Sequence, residues 1–176
     1  MDQQQLNDYF LNHWNSEIPK YTHSGFALFH QVKENESVLD VGCGHNPFKG
    51  LIKNLVGVDP AFDQADFKGT IEEFESDELF DVAFCLGSIN FGNEMKIRSE
   101  IEKIISLLKP SARIYWRCNP ARTDHDSSKC EEINFFNWSL GYHELFCRDY
   151  GFELYDVAYE RPEPHKKRIY AVWKRQ

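Results

Sequence analysis

The chain has 176 residues, 41% of them apolar and 15% aromatic, which suits one domain around one hydrophobic core and excludes a disordered chain. Its formal charge of −8 excludes generic nucleic-acid binding, because duplex affinity comes largely from neutralised phosphates. The longest apolar runs fall well short of the roughly eighteen residues that a membrane-spanning helix needs, so none is expected.

The opening residues Met1–Gln5 carry neither a basic nor an apolar stretch, so they do not read as a secretory signal, and a cytoplasmic protein is the expectation. Cys43, Cys85, Cys118, Cys130 and Cys147 are scattered without close pairing, which favours free thiols over a disulfide framework. The spacing of Cys118, His125 and Cys130 matches no standard zinc pattern, and no metal is expected. Charge is distributed unevenly. Nine carboxylates and one cation, Lys68, lie between Asp59 and Asp81, whereas six cations and one acid, Glu163, lie between Arg161 and Arg175. Both runs read as solvated surface, with a basic edge touching an anionic substrate as the alternative.

In chain order, Leu6, Tyr9, Phe10, His13 and Trp14 recur at helical spacing, and Pro19 ends that helix. A second helix is predicted from Ser24 to Lys33. Ser37–Gly42 is a short β-branched run ending in glycine and reads as a buried strand. Further strands are predicted at Asn54–Asp59, near Ala65–Gly69, and at Phe80–Leu86. A helix follows from Asn93 to Lys109, with Ile97, Ile101, Ile104, Ile105 and Leu108 on one stripe, Asn93 as its cap and Pro110 just past its end. A fifth strand covers Ala112–Arg117. Residues 118–137 are polar and irregular; a helix then spans Ser139–Tyr150, stopped by Gly151. Two last strands, Phe152–Tyr159 and Arg168–Lys174, flank a turn containing Pro162 and Pro164.

Alternating strands and helices followed by two tightly joined strands predict an α/β fold: a doubly wound sheet of about seven strands, mostly parallel, with an antiparallel C-terminal strand and helices on both faces. The expected organisation is one domain, a helical cap over residues 1–34 on a Rossmann-like core over residues 35–176. Such sheets bind ligands at the C-terminal ends of their central strands, so the tips after Asp40, Asp59, Leu86 and Arg117 should surround one crevice.

The stretch Val38-Leu39-Asp40-Val41-Gly42-Cys43-Gly44 resembles the glycine-rich first motif of class I S-adenosylmethionine-dependent methyltransferases. Glycines permit a sharp turn and leave no Cβ where a charged ligand nears the main chain. Phe80–Gly87 resembles the fourth strand of that family, preceded by its phenylalanine-aspartate pair. Leu107-Leu108-Lys109-Pro110, the strand after it, and Gly151-Phe152 match the later segments, so the resemblance covers residues 24 to 174. It implies S-adenosylmethionine as cofactor, with S-adenosylhomocysteine as product. It also implies Asp40, Gly42, Cys43 and Gly44 around the methionine moiety and Asp59, with Pro60, at the ribose hydroxyls. A carboxylate with two acceptor oxygens suits a vicinal diol. Leu86, Gly87 and Ser88 complete the implied cofactor set. The sequence departs from the family in three ways. A third small residue is missing after Gly44, only about six residues separate Asp59 from the next strand, and Gly69-Thr70-Ile71-Glu72 stands where many relatives place an aspartate at the adenine amino group. Thr70 or the Ile71 backbone would then serve.

The implied reaction is an in-line displacement at the sulfonium methyl, in which the protein supplies positioning and desolvation. Tyr21, Asn90, Phe91, Asn119 and Arg122 are the candidate substrate contacts, and the N-terminal helices from Tyr9 to Tyr21 are expected to fold over the crevice. His125, oriented by Asp124, is the candidate general base. The simplest acceptor is a small molecule, with a peptide terminus or a modified nucleotide still open. Two other classes also stay open: a nicotinamide-dependent oxidoreductase using the same glycine turn and Asp59, and a non-catalytic Rossmann-like module that binds the cofactor or acts through a protein partner.

Overall fold

The computed structural model of the chain describes residues 2–14, 28–122, 125, 128–160 and 168–175. Its centre is a sheet of seven strands: β1 (Ser37–Val41), β2 (Asn54–Asp59), β3 (Phe67–Lys68), β4 (Phe80–Leu86), β5 (Leu108–Cys118), β6 (Phe152–Glu160) and β7 (Arg168–Arg175). They lie in the order β3-β2-β1-β4-β5-β7-β6. The first five pair in parallel, and β7 runs antiparallel to both β5 and β6. The chain leaves β1 toward β2 on one side and β4 toward β5 on the other, so the direction of winding reverses between β1 and β4.

The two strands flanking that reversal are the most deeply buried. Val38, Leu39, Val82, Ala83 and Phe84 are wholly inaccessible, which is why β1 and β4 read as continuous apolar runs and not as alternating ones. One sheet face, carrying Leu39, Ala83, Ile114 and Trp116, packs on Ile97, Ile101 and Ile104 of helix α2 (Glu94–Ser106) and on Phe146 of helix α3 (Leu140–Tyr150). Burying an isoleucine of that stripe is worth about 2–5 kcal/mol, judged by truncation to alanine. The opposite face, with Val38, Val82, Phe84 and Tyr115, is covered by Phe48 and Ile52 and by Leu28, Phe29 and Val32. Phe48 and Ile52 sit in a chain of reverse turns between β1 and β2, closed by Asn46 N–H to Cys43 O, Lys49 N–H to Asn46 O and Leu51 N–H to Phe48 O. The trimming read after Asp59 therefore extends to the connection before it: turns replace a crossover helix in both places.

Helix α1 (Gln3–Asn12) begins with a reciprocal capping box, Asp2 accepting from Gln5 N–H while the Gln5 side chain accepts from Asp2 N–H. Its apolar face joins Phe91, Cys130 and Ile133 in a separate small cluster. Helix α2 starts at the expected Asn93 cap but ends at Ser106, three residues before the predicted Lys109, and β5 begins at Leu108 instead of Ala112. Pro110 disfavours helical geometry in the residue before it. Leu107 accepts from Phe80 N–H, and Leu108 pairs with Phe80, so the sheet captures the segment that the helical stripe had claimed. Helix α3 is capped by Ser139, the first residue of the predicted span, and ends on the expected Gly151 at φ 71°.

Of the predicted second helix, only residues from Leu28 onward are described; they form a helical turn in which Gln31 N–H donates to Leu28 O. Residues 24–27 and the Pro162–Pro164 turn lie outside the described residues. All five cysteines are buried free thiols.

Candidate active site

A crevice opens at the C-terminal tips of β1, β2, β4 and β5, across the point where the winding reverses. This is where doubly wound sheets hold ligands. It encloses about 950 Å³ of atom-free space, open mouth included.

The β1 tip contributes Gly42 and Gly44, at φ 69° and 57°. Gly42 is obligatory in this packing, because a Cβ there would collide with Ser88 of the β4 tip. Gly44 faces open space, so a ligand has room to approach its main chain. Gly42 and Cys43 both donate to Val58 O, which straps the turn to β2.

Asp59 at the β2 tip organises the neighbouring loops. Its Oδ2 accepts from Gly44 N–H at 2.9 Å, and its Oδ1 accepts from Ala61 N–H at 2.8 Å and Phe62 N–H at 3.1 Å. A carboxylate has about four acceptor sites, so Oδ2 retains one toward the crevice that Asp59 lines. Pro60, Ala61 and Phe62 continue that wall, and Asn7 of α1 closes on it by donating to Pro60 O at 3.2 Å.

From the β4 tip come Leu86, Gly87 and Ser88, the last with a buried hydroxyl that has no partner among the described residues. Gly87, at φ 101°, lets the Arg117 guanidinium cross: a Cβ there would stand 2.7 Å from Arg117 Nη2, which donates to Leu86 O at 2.7 Å. Thr70 and Ile71 line the β3 side. The Thr70 N–H and hydroxyl, however, are both turned to Glu73, at 2.8 and 2.9 Å.

Phe91, Asn119 and His125 line the far end. The Tyr9 hydroxyl lies 3.0 Å from His125 Nδ1, and the imidazole sits among Phe10, Phe91 and Phe135. Asp124, the predicted orienting partner, and Tyr21 lie outside the described residues; among those described, Tyr9 holds the ring.

Four predicted residues do not line the crevice. Asp40 is 2% exposed, its Oδ2 has no partner among the described residues, and burial, with Asp59 nearby, pushes its carboxyl up to about 7. Cys43 is buried beneath the turn, where desolvation raises its thiol far above the usual range. Asn90 bridges the β4 and β5 tips, donating to Gly87 O and accepting from Asn119 N–H. Arg122 donates to Glu131 O at 3.1 Å.

Sequence reasoning missed Lys96, Glu100 and Arg117, all of which line the crevice. Glu100 left a legible sign: it lies three residues after Ile97 and four before Ile104, so it flanks the buried stripe of α2 where a carboxylate is out of place. Burial raises its carboxyl to about 7, with Lys96 opposing and Glu72 assisting the shift.

The fold has close structural relatives. One is the 1,6-didemethyltoxoflavin-N1-methyltransferase of Burkholderia thailandensis, solved with 1,6-didemethyltoxoflavin and S-adenosylhomocysteine bound. It superposes with a TM-score of 0.71 at 14% identity, over 98% of this chain and 88% of its own. The N-methyltransferase NodS of Bradyrhizobium japonicum WM9, in complex with S-adenosylhomocysteine, gives 0.67 at 14% identity over 94% and 90%. The magnesium protoporphyrin IX methyltransferase of Synechocystis PCC 6803, with bound S-adenosylmethionine, gives 0.68 at 14% identity over 100% and 98%. No protein-family model matches the sequence, and no curated protein matches it significantly. The chain therefore has the fold of the class I S-adenosylmethionine-dependent methyltransferases. Among the described residues, no helix is long and apolar enough to cross a membrane.

Proposed function

We propose that this protein is an S-adenosylmethionine-dependent methyltransferase whose acceptor is a small molecule. The observation that carries the reading is one crevice that joins an open glycine turn, a loop-organising carboxylate at the β2 tip and an aromatic chamber roofed by α1. The residues present fit the cofactor. Gly44 leaves room beside its main chain, Asp59 Oδ2 keeps an acceptor site for a ribose hydroxyl, and the unpartnered Ser88 hydroxyl supplies a polar contact between them. Asp40 acts from beneath the turn as an electrostatic support for the ammonium end.

Bound S-adenosylmethionine would supply a sulfonium methyl as the electrophile. The chain supplies positioning and desolvation: Phe10, Trp14 and Phe91 exclude water and hold a small acceptor flat, and Arg117 and Asn119 bound the chamber at the β5 tip. His125, fixed by Tyr9, takes the proton that a hydroxyl or amine acceptor gives up. The small-molecule reading is supported by the chamber, which the chain closes with its own N-terminal segment as a cap. Buried free thiols suit a cytoplasmic location.

The test is thermal unfolding with S-adenosylhomocysteine, with NAD⁺ as the control. Ligand at about one hundred times its Kd stabilises the native state by about 2.7 kcal/mol, a rise of roughly 5–10 °C for a domain of this size. A shift with S-adenosylhomocysteine alone supports the reading. No shift at saturating ligand overturns it.

A further inference from the structure

An adenosyl ligand carries its amino-acid arm on C5′ and its base on C1′ of one ribose, so anchoring the ribose sends the two in different directions. With the ribose at Asp59 and the arm along the glycine turn toward β4, the base would fall on the β3 side. There the crevice is lined by Gly69, Thr70, Ile71, Lys96 and Glu100. Helix α2 is fastened to this wall by Ser99 to Glu72 at 2.8 Å, Lys96 to Glu72 at 3.5 Å and Lys103 to Glu75 at 2.7 Å.

The base end lacks the acid expected after β3, and the acids that stand there are engaged. Glu73 accepts both Thr70 donors, and Glu72 accepts from Ser99 and pairs with Lys96. Glu100 differs. Its side chain is only 12% exposed, Lys96 Nζ holds its Oε1 at 3.2 Å, and its buried Oε2 has no partner among the described residues. A buried carboxylate oxygen with no donor calls for a function, since such groups are nearly always satisfied.

We propose that Glu100 reads the base of the bound adenosyl ligand: Oε2 accepts a hydrogen bond from the 6-amino group and makes the site selective for 6-aminopurines over 6-oxopurines. The proposal rests on the cofactor reading above and relocates the missing adenine contact from the β3 loop to helix α2. Lys96 fixes the carboxylate and limits its rotation. A 6-oxopurine would set its carbonyl oxygen against Oε2 and leave both without a donor, the arrangement by which polar sites reject analogues most strongly.

The experiment is isothermal titration of the full chain with S-adenosylhomocysteine and with S-inosylhomocysteine, for wild type, Glu100→Leu and the near-isosteric Glu100→Gln. Melting temperatures without ligand certify that each variant is folded. Wild type should bind the adenosyl ligand about ten- to one-hundred-fold more tightly than the inosyl ligand, the range for one hydrogen bond to a charged group. Glu100→Leu should lose that factor on the adenosyl ligand and stay within about two-fold on the inosyl one. Glu100→Gln, whose amide can donate, should move the preference toward the inosyl ligand. Wild type that binds S-adenosylhomocysteine, with its preference unchanged in both variants, overturns the role of Glu100 alone. Wild type that binds neither ligand overturns the cofactor reading and this inference together.

Discussion

The two halves of the crevice are built on different principles. The half under β1, β2 and β3 is made of main chain and carboxylates: the Gly42–Gly44 turn, Asp59 with its three backbone donors, and the acids around Thr70. The half beyond β4 and β5 is made of rings, with Tyr9, Phe10, Phe91, Phe135 and His125 in mutual edge and tilted contacts. Polar geometry of the first kind fixes a defined ligand through directed hydrogen bonds. Aromatic packing of the second kind shapes a dry chamber and leaves the identity of its occupant to shape. On the function proposed above, one half takes a constant cofactor and the other a variable acceptor.

The sharpest break of that contrast is Gly42→Ala. The new methyl meets Ser88 and the residue must hold φ 69°, so a loss of about 3–5 kcal/mol in urea unfolding is expected, with cofactor binding abolished. Gly44→Ala, with open space around it, should cost only about 1–2 kcal/mol of backbone strain.

Next in size is the pH response of Asp40. Its folded pKa is raised from 3.8 to about 7, so its stabilising contribution is full below pH 4 and is lost as pH rises through 7. Asp40→Asn removes that loss. The variant's stability relative to wild type should therefore climb by on the order of 3 kcal/mol between pH 4 and pH 8, read from urea midpoints. Glu100 titrates in the same direction and His143, lowered to about 3 by burial, in the opposite one, but both are common to the two proteins and cancel. A difference that stays flat across this range would remove Asp40 as an ionisable support of the polar half.

Asp59→Asn should cost about 2 kcal/mol of stability and weaken S-adenosylhomocysteine at least ten-fold, because an amide cannot accept all three loop N–H groups. The smallest effect is on the aromatic side. Tyr9→Phe removes the hydroxyl at His125 at a cost of about 1 kcal/mol and should lower kcat while leaving cofactor affinity within about two-fold. A fall in cofactor affinity instead would mean that the two halves are not separable.

The polar half was largely legible in the sequence, since its parts are strand ends and the turns next to them. Gly42, Gly44, Asp59, Pro60, Thr70 and Ser88 all line the crevice. Asp40 and Cys43 do not, because the pleat sets the facing of the first and the packing of the turn sets that of the second. The aromatic half was less legible: of the segment expected to fold over the crevice, Leu6, Phe10 and Trp14 line it, but the Tyr9–His125 contact spans 116 residues, and no local pattern announces such a pairing.

Alone, the sequence determined what local chemistry determines: buried strands from apolar runs, helix starts at Asn93 and Ser139, a stop at Gly151, and a sharp turn at Gly42. Tertiary structure decided the rest. It ended α2 early by capturing Leu108 into the sheet, and it covered one sheet face with reverse turns where crossover helices are usual. It also turned Glu100 inward beside a ligand crevice. Each of these depends on which distant segment competes for the same backbone donors or buried space, and that competition is settled only when the whole chain is packed.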